Sequence, residues 1–170
     1  AKAFFSSEIA GQYAAISMLG KIIFFGTMAI GKTMFPLTSE KNYKKENTFN
    51  LFKKSFLAVA FLCLIATIMY ALFPTLIINI LYGGQYLELS KLLFYLAISF
   101  SFLSLTNLIL VYSLSTNGIK KPFYLFIFLI IETLLLFLFH RTIFEYILAF
   151  MVSNAIMFIG TLFLLIRWRK

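Results

Sequence analysis

Lys21 and Glu132 stand out in this sequence because each sits inside a long apolar run. A charged side chain at membrane depth is costly, and where one occurs it marks a substrate path, a proton relay or an ion pair. Lys32 belongs with them, eleven residues after Lys21. At about 100° per residue, that spacing returns to within about 20° of the same direction and advances roughly 16 Å along the helix axis. Lys21 and Lys32 therefore share one stripe with Ala10, Ala14, Ser17 and Met28. Two cations on one line attract an anionic substrate. Lys32 can alternatively snorkel to headgroups at the end of its helix, and Lys21 can belong to a structural ion pair. Glu132 is surrounded on its own face by Leu125, Phe128, Leu129 and Leu136, so it needs a partner on another helix or a proton. Lys21 is the expected partner. A neutral Glu132 would instead load and release a coupling proton.

A second stripe carries Tyr95, Ser99, Thr106, Ser113 and Asn117, all within about 20° of one line. Such a stripe borders a water-filled path or supplies the small polar contacts that join membrane helices. Gly20, Thr27 and Gly31, and likewise Ala149, Ser153 and Gly160, read as close-packing faces. His140 and Arg141 with Glu145 form the one cluster suited to acid–base work, and a helix-boundary cap explains them more economically. The chain has no Asp, no phosphate-cradling glycine loop and no His-Glu-x-x-His spacing. Cys63 is the sole cysteine, which excludes a disulfide framework and a cysteine metal site. Nothing names a reaction, so neither an enzyme nor a cofactor is expected.

These residues need long apolar helices to hold them. Of the 170 residues, 62% are hydrophobic and 12% charged, with a mean hydropathy of +0.95. Soluble domains are nearer 45–50% apolar and about a quarter charged. A water-soluble enzyme is excluded, and so is a disordered chain. The net charge of +9 would suggest nucleic acid in a soluble protein. Here the charges lie between apolar runs and read as membrane topology instead, with no nucleic acid bound.

The fold class expected is an all-α integral membrane protein, a single domain of five transmembrane helices. A helix needs roughly 20 apolar residues to cross the bilayer. The spans are 10–36, 54–73, 91–116, 122–139 and 145–166, with Pro36 closing the first and Pro74 halting the second. Lys41, Lys44, Lys45, Lys53, Lys54, Lys120, Lys121, Arg167, Arg169 and Lys170 fall on one side; Lys2, Lys91 and Arg141 fall on the other. The positive-inside rule places the larger group, and the carboxyl end, in the cytoplasm. The amino end would then lie outside. With no initiating Met and an odd number of spans, the chain reads as a fragment whose earlier part threads it.

Three motifs follow in order. Ala10-Gly11-Gln12-Tyr13-Ala14-Ala15 opens the first span, and Phe35-Pro36-Leu37-Thr38-Ser39-Glu40 closes it. Leu81-Tyr82-Gly83-Gly84-Gln85-Tyr86 precedes the third. In order and spacing this resembles the second half of the polysaccharide and O-antigen flippases, members of the multidrug/oligosaccharidyl-lipid/polysaccharide exporter superfamily. The resemblance implies two six-helix lobes around a central cavity, this chain being most of the second lobe. It further implies flipping of undecaprenyl-diphosphate-linked oligosaccharide across the bacterial inner membrane, by rocking of one lobe against the other. The partners would be the lipid-linked glycan, membrane lipid and an amino-terminal lobe of the same polypeptide. Lys21 and Lys32, with Ser17, Ser99, Thr106 and Ser113, are the expected cavity residues, and Glu132 the coupling residue. Other branches of the superfamily export drugs or flip peptidoglycan precursors. A membrane-embedded glycosyltransferase is the reading from a different class.

Overall fold

The computed structural model describes residues 4–83, 86–116 and 123–168. They form α1 (Ser7–Tyr43), α2 (Phe49–Leu72), α3 (Pro74–Tyr82), α4 (Ser90–Ser115), α5 (Phe123–Leu138) and α6 (Ile143–Trp168), with a short 3₁₀ turn at Leu87–Leu89. Among the described residues there is no strand. Four helices are long and apolar enough to cross a membrane: α1, α2, α4 with its preceding turn, and α6. The expected span at 122–139 takes the form of α5, which has 16 residues. At 1.5 Å per residue it is about 24 Å long, shorter than a hydrocarbon core of about 30 Å.

Helix α4 is the centre of the bundle. It packs against α1, α2, α3 and α6, whereas α5 packs chiefly on α6. The reason lies in side-chain size and polarity. Lipid tails are as apolar as leucine, so membrane helices associate through close packing and small polar groups rather than hydrophobic burial. Helix α4 buries Ser90, Ser99, Ser104, Thr106, Ser113 and Ser115 among Leu93, Leu96, Ala97, Leu108 and Ile109. Several of these hydroxyls donate to their own helix, as Ser99 does to the Tyr95 carbonyl at 2.9 Å and Ser104 to that of Phe100 at 2.8 Å. The hydroxyls bonded in this way add bulk with their hydrogen bonds met inside the helix. Helix α5, richer in large side chains, instead exposes Phe126, Ile130, Leu134 and Phe137.

Two hydrogen bonds stitch the start of α1 to its neighbours. The Tyr70 hydroxyl donates to the Leu19 carbonyl and the Tyr82 hydroxyl to that of Ala15, both at 2.9 Å. At the lysine-rich end, Thr48 and Tyr112 share a 3.0 Å bond between hydroxyls. Gly83 ends α3 with φ 61°, a left-handed conformation that glycine adopts without a Cβ penalty. The first and third sequence motifs are thus in direct contact, through Ala15 and Tyr82.

Pro36 does not close α1. The helix runs through it for seven more residues and stops where Lys45 turns left-handed, with φ 57°. Proline inside a helix removes one backbone hydrogen bond. Here that loss falls on the exposed face, while Met34 and Thr38 on the opposite side are fully packed at 2% and 0% exposure. Tertiary packing holds the turn that proline weakens. Exposed pairs, Lys44 to Glu40 at 2.6 Å and Lys41 to Glu46 at 3.1 Å, add a little at the helix end. Pro74 behaves as expected, ending α2 and opening α3 at its first turn.

Gly20 and Gly160 each receive an aromatic ring. A methyl group at Gly20 would overlap Phe100, and one at Gly160 would overlap Phe128, while Gly11 and Gly26 face open space. Gly20→Ala should therefore destabilise the bundle by about 1–3 kcal/mol through overpacking, and adding Phe100→Leu should recover part of the loss. Gly26→Ala should be neutral or stabilising by up to about 1 kcal/mol, since alanine is the better helix former. Denaturation in a mixed detergent series would measure all three.

Candidate functional site

The site is built on the outward face of α1. Ile16, Leu19, Ile23, Thr27, Gly31 and Met34 pack inward. The opposite face exposes Met18, Lys21, Ile22, Phe25, Ala29 and Lys32. Both lysines thus share one face, as their spacing requires. The outward faces of the other helices differ in kind. Helix α2 exposes Leu57, Phe61, Leu64 and Ile68, and the exposed residues of α5 are likewise uncharged. Between residues 55 and 73 no ionisable group stands on the surface, since the Cys63 thiol and the Tyr70 phenol are both buried.

Beside Lys32 the α1–α4 seam opens into a groove of about 260 Å³, lined by Met28, Gly31, Lys32, Phe35, Asn107 and Val111. Gly31 forms part of its floor. A methyl group there would lie 4.0 Å from the Asn107 Nδ2 and 3.9 Å from a Val111 methyl, so the missing side chain leaves space in front of the Asn107 amide. That amide makes no hydrogen bond to another described residue. Asn154, on α6, instead donates to the Phe150 carbonyl at 2.8 Å. Pro36 adds a further polar group nearby, because it has no N–H to give the Lys32 carbonyl. The larger cleft of about 380 Å³ between α5 and α6 is walled by Leu135, Phe139, Leu148, Ala149 and Val152, with Glu145 its one charged residue.

The remaining expected site residues lie elsewhere. Ser17 is 4% exposed and donates to the Ala14 carbonyl. It sits some 40° round the helix from Lys21, and the boundary between packed and open faces passes between them. Ser99, Thr106 and Ser113 are each at most 3% exposed, within the packing around α4 rather than on the lysine face. The Thr106 hydroxyl has no hydrogen-bond partner among the described residues. Asn117, at the end of that stripe, lies outside the described residues.

The expected Lys21–Glu132 pair is not formed. The ion pairs among the described residues are the two at the end of α1. Glu132 is half-buried and stands within electrostatic reach of Tyr13 and Tyr146, whose rings meet edge to face at 5.3 Å. Tyr13 precedes Lys21 by eight residues, about 12 Å of helix, and this separation explains the missing pair. His140 packs on Phe4 and Phe137 and its Nδ1 contacts the Phe137 carbonyl. Thr142 caps α6 by accepting from the Glu145 N–H at 3.1 Å. That cluster lies where α5 ends and α6 begins.

Spacing along the chain does not mark Asn107 or Phe35 as site residues. The available signal was chemical: Asn107 is the one amide in an α4 segment whose other polar side chains are mostly hydroxyls, which helices absorb into their own carbonyls. Comparison with protein-family models, curated proteins and solved structures finds no match to this sequence.

The two faces can be distinguished in a bilayer. In protein reconstituted with Cys63 replaced by Ser, Lys21→Cys and Lys32→Cys should react with a small water-soluble maleimide at least about tenfold faster than Ser99→Cys and Ser113→Cys, because only water-accessible thiols ionise and react. Equal protection of all four would mean that the lysine face lies against lipid.

Proposed function

We propose that this chain forms most of one lobe of a membrane transporter that flips undecaprenyl-diphosphate-linked oligosaccharide by alternating access, for surface polysaccharide assembly. The observation that carries the reading is the pairing of Lys21 and Lys32 on one outward face, whereas the exposed side chains of α2 from residue 55 onward and of α5 carry no charge. An arginine, lysine or aspartate at the centre of a membrane helix costs roughly 2.5–3.5 kcal/mol on insertion scales. Two on one face are tolerable when that face borders a water-filled cavity, here one shared with an opposing lobe. A diphosphate headgroup supplies the complementary charge. In this reading α5 completes five spans with the four longer helices, and the lysine-rich ends face the cytoplasm of a bacterial inner membrane.

Glu132 lies well away from the cationic stripe, with Tyr13 and Tyr146, and in this reading it carries the coupling proton. Separation from the lysines suits that role, since a fixed ammonium neighbour would hold the carboxylate ionised.

The test uses the full-length protein in proteoliposomes carrying a fluorescent prenyl-diphosphate glycan. Lys21→Ala and Lys32→Ala should each slow flipping by at least about tenfold, a loss in keeping with removal of one charge-assisted contact. Lys53→Ala, on the exposed start of α2, should not. Glu132→Gln should flatten the dependence of flipping on a pH gradient. Equal and negligible effects of the two α1 substitutions would remove the cationic-cavity reading. Transport of a lipophilic cation instead would favour a drug exporter.

A further inference from the structure

The groove beside Lys32 has chemistry beyond that of a cationic point, and we infer that it is a subsite for a sugar phosphate, in which Lys32 holds the phosphate, Asn107 the sugar hydroxyls and Phe35 the sugar's apolar face. The inference deepens the flippase reading and rests on it. Its parts come from two helices. Lys32 and Phe35 are adjacent in space on α1, three residues apart and therefore neighbours on the helix surface. Phe35 is 43% exposed, although it packs at the rim of the α1–α4 seam. Asn107 comes from α4, and Gly31 keeps the approach to its amide open.

Each group is unspent within the described protein. Lys32 forms no ion pair with a described residue, and the Asn107 side chain forms no hydrogen bond with one. Elsewhere in the bundle the polar side chains are largely committed, with serines and threonines bonded to carbonyls of their own helices. An amide both donates and accepts, which suits neighbouring hydroxyls on a sugar ring. An ammonium is a flexible point charge that matches phosphate. A sugar presents C–H groups on its ring faces, and an aromatic surface covers these as it does other apolar area.

Size restricts the occupant. Pockets for drug-sized ligands run from about 300 to 1,000 Å³, and this groove is about 260 Å³. That is room for about one sugar with its phosphate. The apolar α5–α6 cleft offers no such combination.

Binding to the purified full-length protein in nanodiscs tests this directly. The probes are a panel of hexose 1-phosphates, inorganic phosphate, the matching methyl hexosides, and vesicles carrying one prenyl-diphosphate hexose. The best hexose 1-phosphate should bind at least about tenfold more tightly than inorganic phosphate or the free glycoside. Asn107→Leu and Phe35→Leu should each remove about fivefold to tenfold of that affinity, the range expected for one hydrogen-bonded or stacked group. Their affinity for inorganic phosphate should not change, while Lys32→Met should weaken both. Phe35 is partly exposed, so its variant tests the subsite even if Asn107→Leu fails to fold. Phosphate bound as tightly as the sugar phosphate, or sugar phosphate binding indifferent to both substitutions, would overturn the subsite. That outcome, with flipping still dependent on Lys21 and Lys32, would leave the transporter reading intact. Conversely, binding of the soluble sugar phosphate that depends on Asn107, with no flipping and no binding of the lipid-linked form, would uphold the subsite and defeat the flippase.

Discussion

The seam between α1 and α4 is the constraint on which the rest of this molecule depends. Membrane helices have no hydrophobic reason to prefer one another over lipid, so their backbones must approach closely enough for dispersion and small polar groups to decide the matter. Gly20 receives Phe100 at one point of this seam, and Gly31 meets Leu108 and Val111 further along. Those contacts fix the rotation of α1 about its own axis. With Gly20, Thr27 and Gly31 turned inward, Lys21 and Lys32 can only face out. The packing face and the charged face are two sides of one helical pattern.

Contacts of α1 also join segments that the sequence distributes over distant positions. The second motif, from Phe35 to Glu40, contains a proline that does not end its helix. It instead leaves the Lys32 carbonyl without its usual donor, at the level where α1 and α4 part. The first and third motifs meet through the hydroxyl of Tyr82 and the carbonyl of Ala15. In the proposed transporter, these contacts hold α1 to its neighbours while an opposing lobe moves against its outward face.

The polar groups contrast in how they are satisfied, with the Thr106 hydroxyl buried but unpartnered among the described residues. The hydroxyls of Ser17, Thr27, Thr38, Ser99 and Ser104 are buried and satisfied within their own helices. Lys21, Lys32 and Asn107 are not spent in this way. Spacing alone does not separate satisfied groups from unspent ones, because a stripe of serines on α4 has the same period whether it borders water or another helix. Only the neighbours decide, and around α4 there are helices on most sides.

Much of the architecture was legible beforehand. Hydropathy and length determined an all-helical chain with apolar spans, because a bilayer admits few other ways to satisfy a backbone. The eleven-residue interval between Lys21 and Lys32 determined that they share a face, because helical geometry is fixed. What tertiary structure decided was which face, and what lies next to it. It turned Ser17 inward although it is near the lysine stripe, carried α1 past Pro36 by packing Met34 and Thr38, and set Glu132 beside Tyr13 and Tyr146 rather than Lys21. It also brought Asn107 to Lys32 across 75 positions of sequence. The physical reason is common to all four. A helix's own period is local, but the rotation and depth at which it meets another helix depend on the shapes of both.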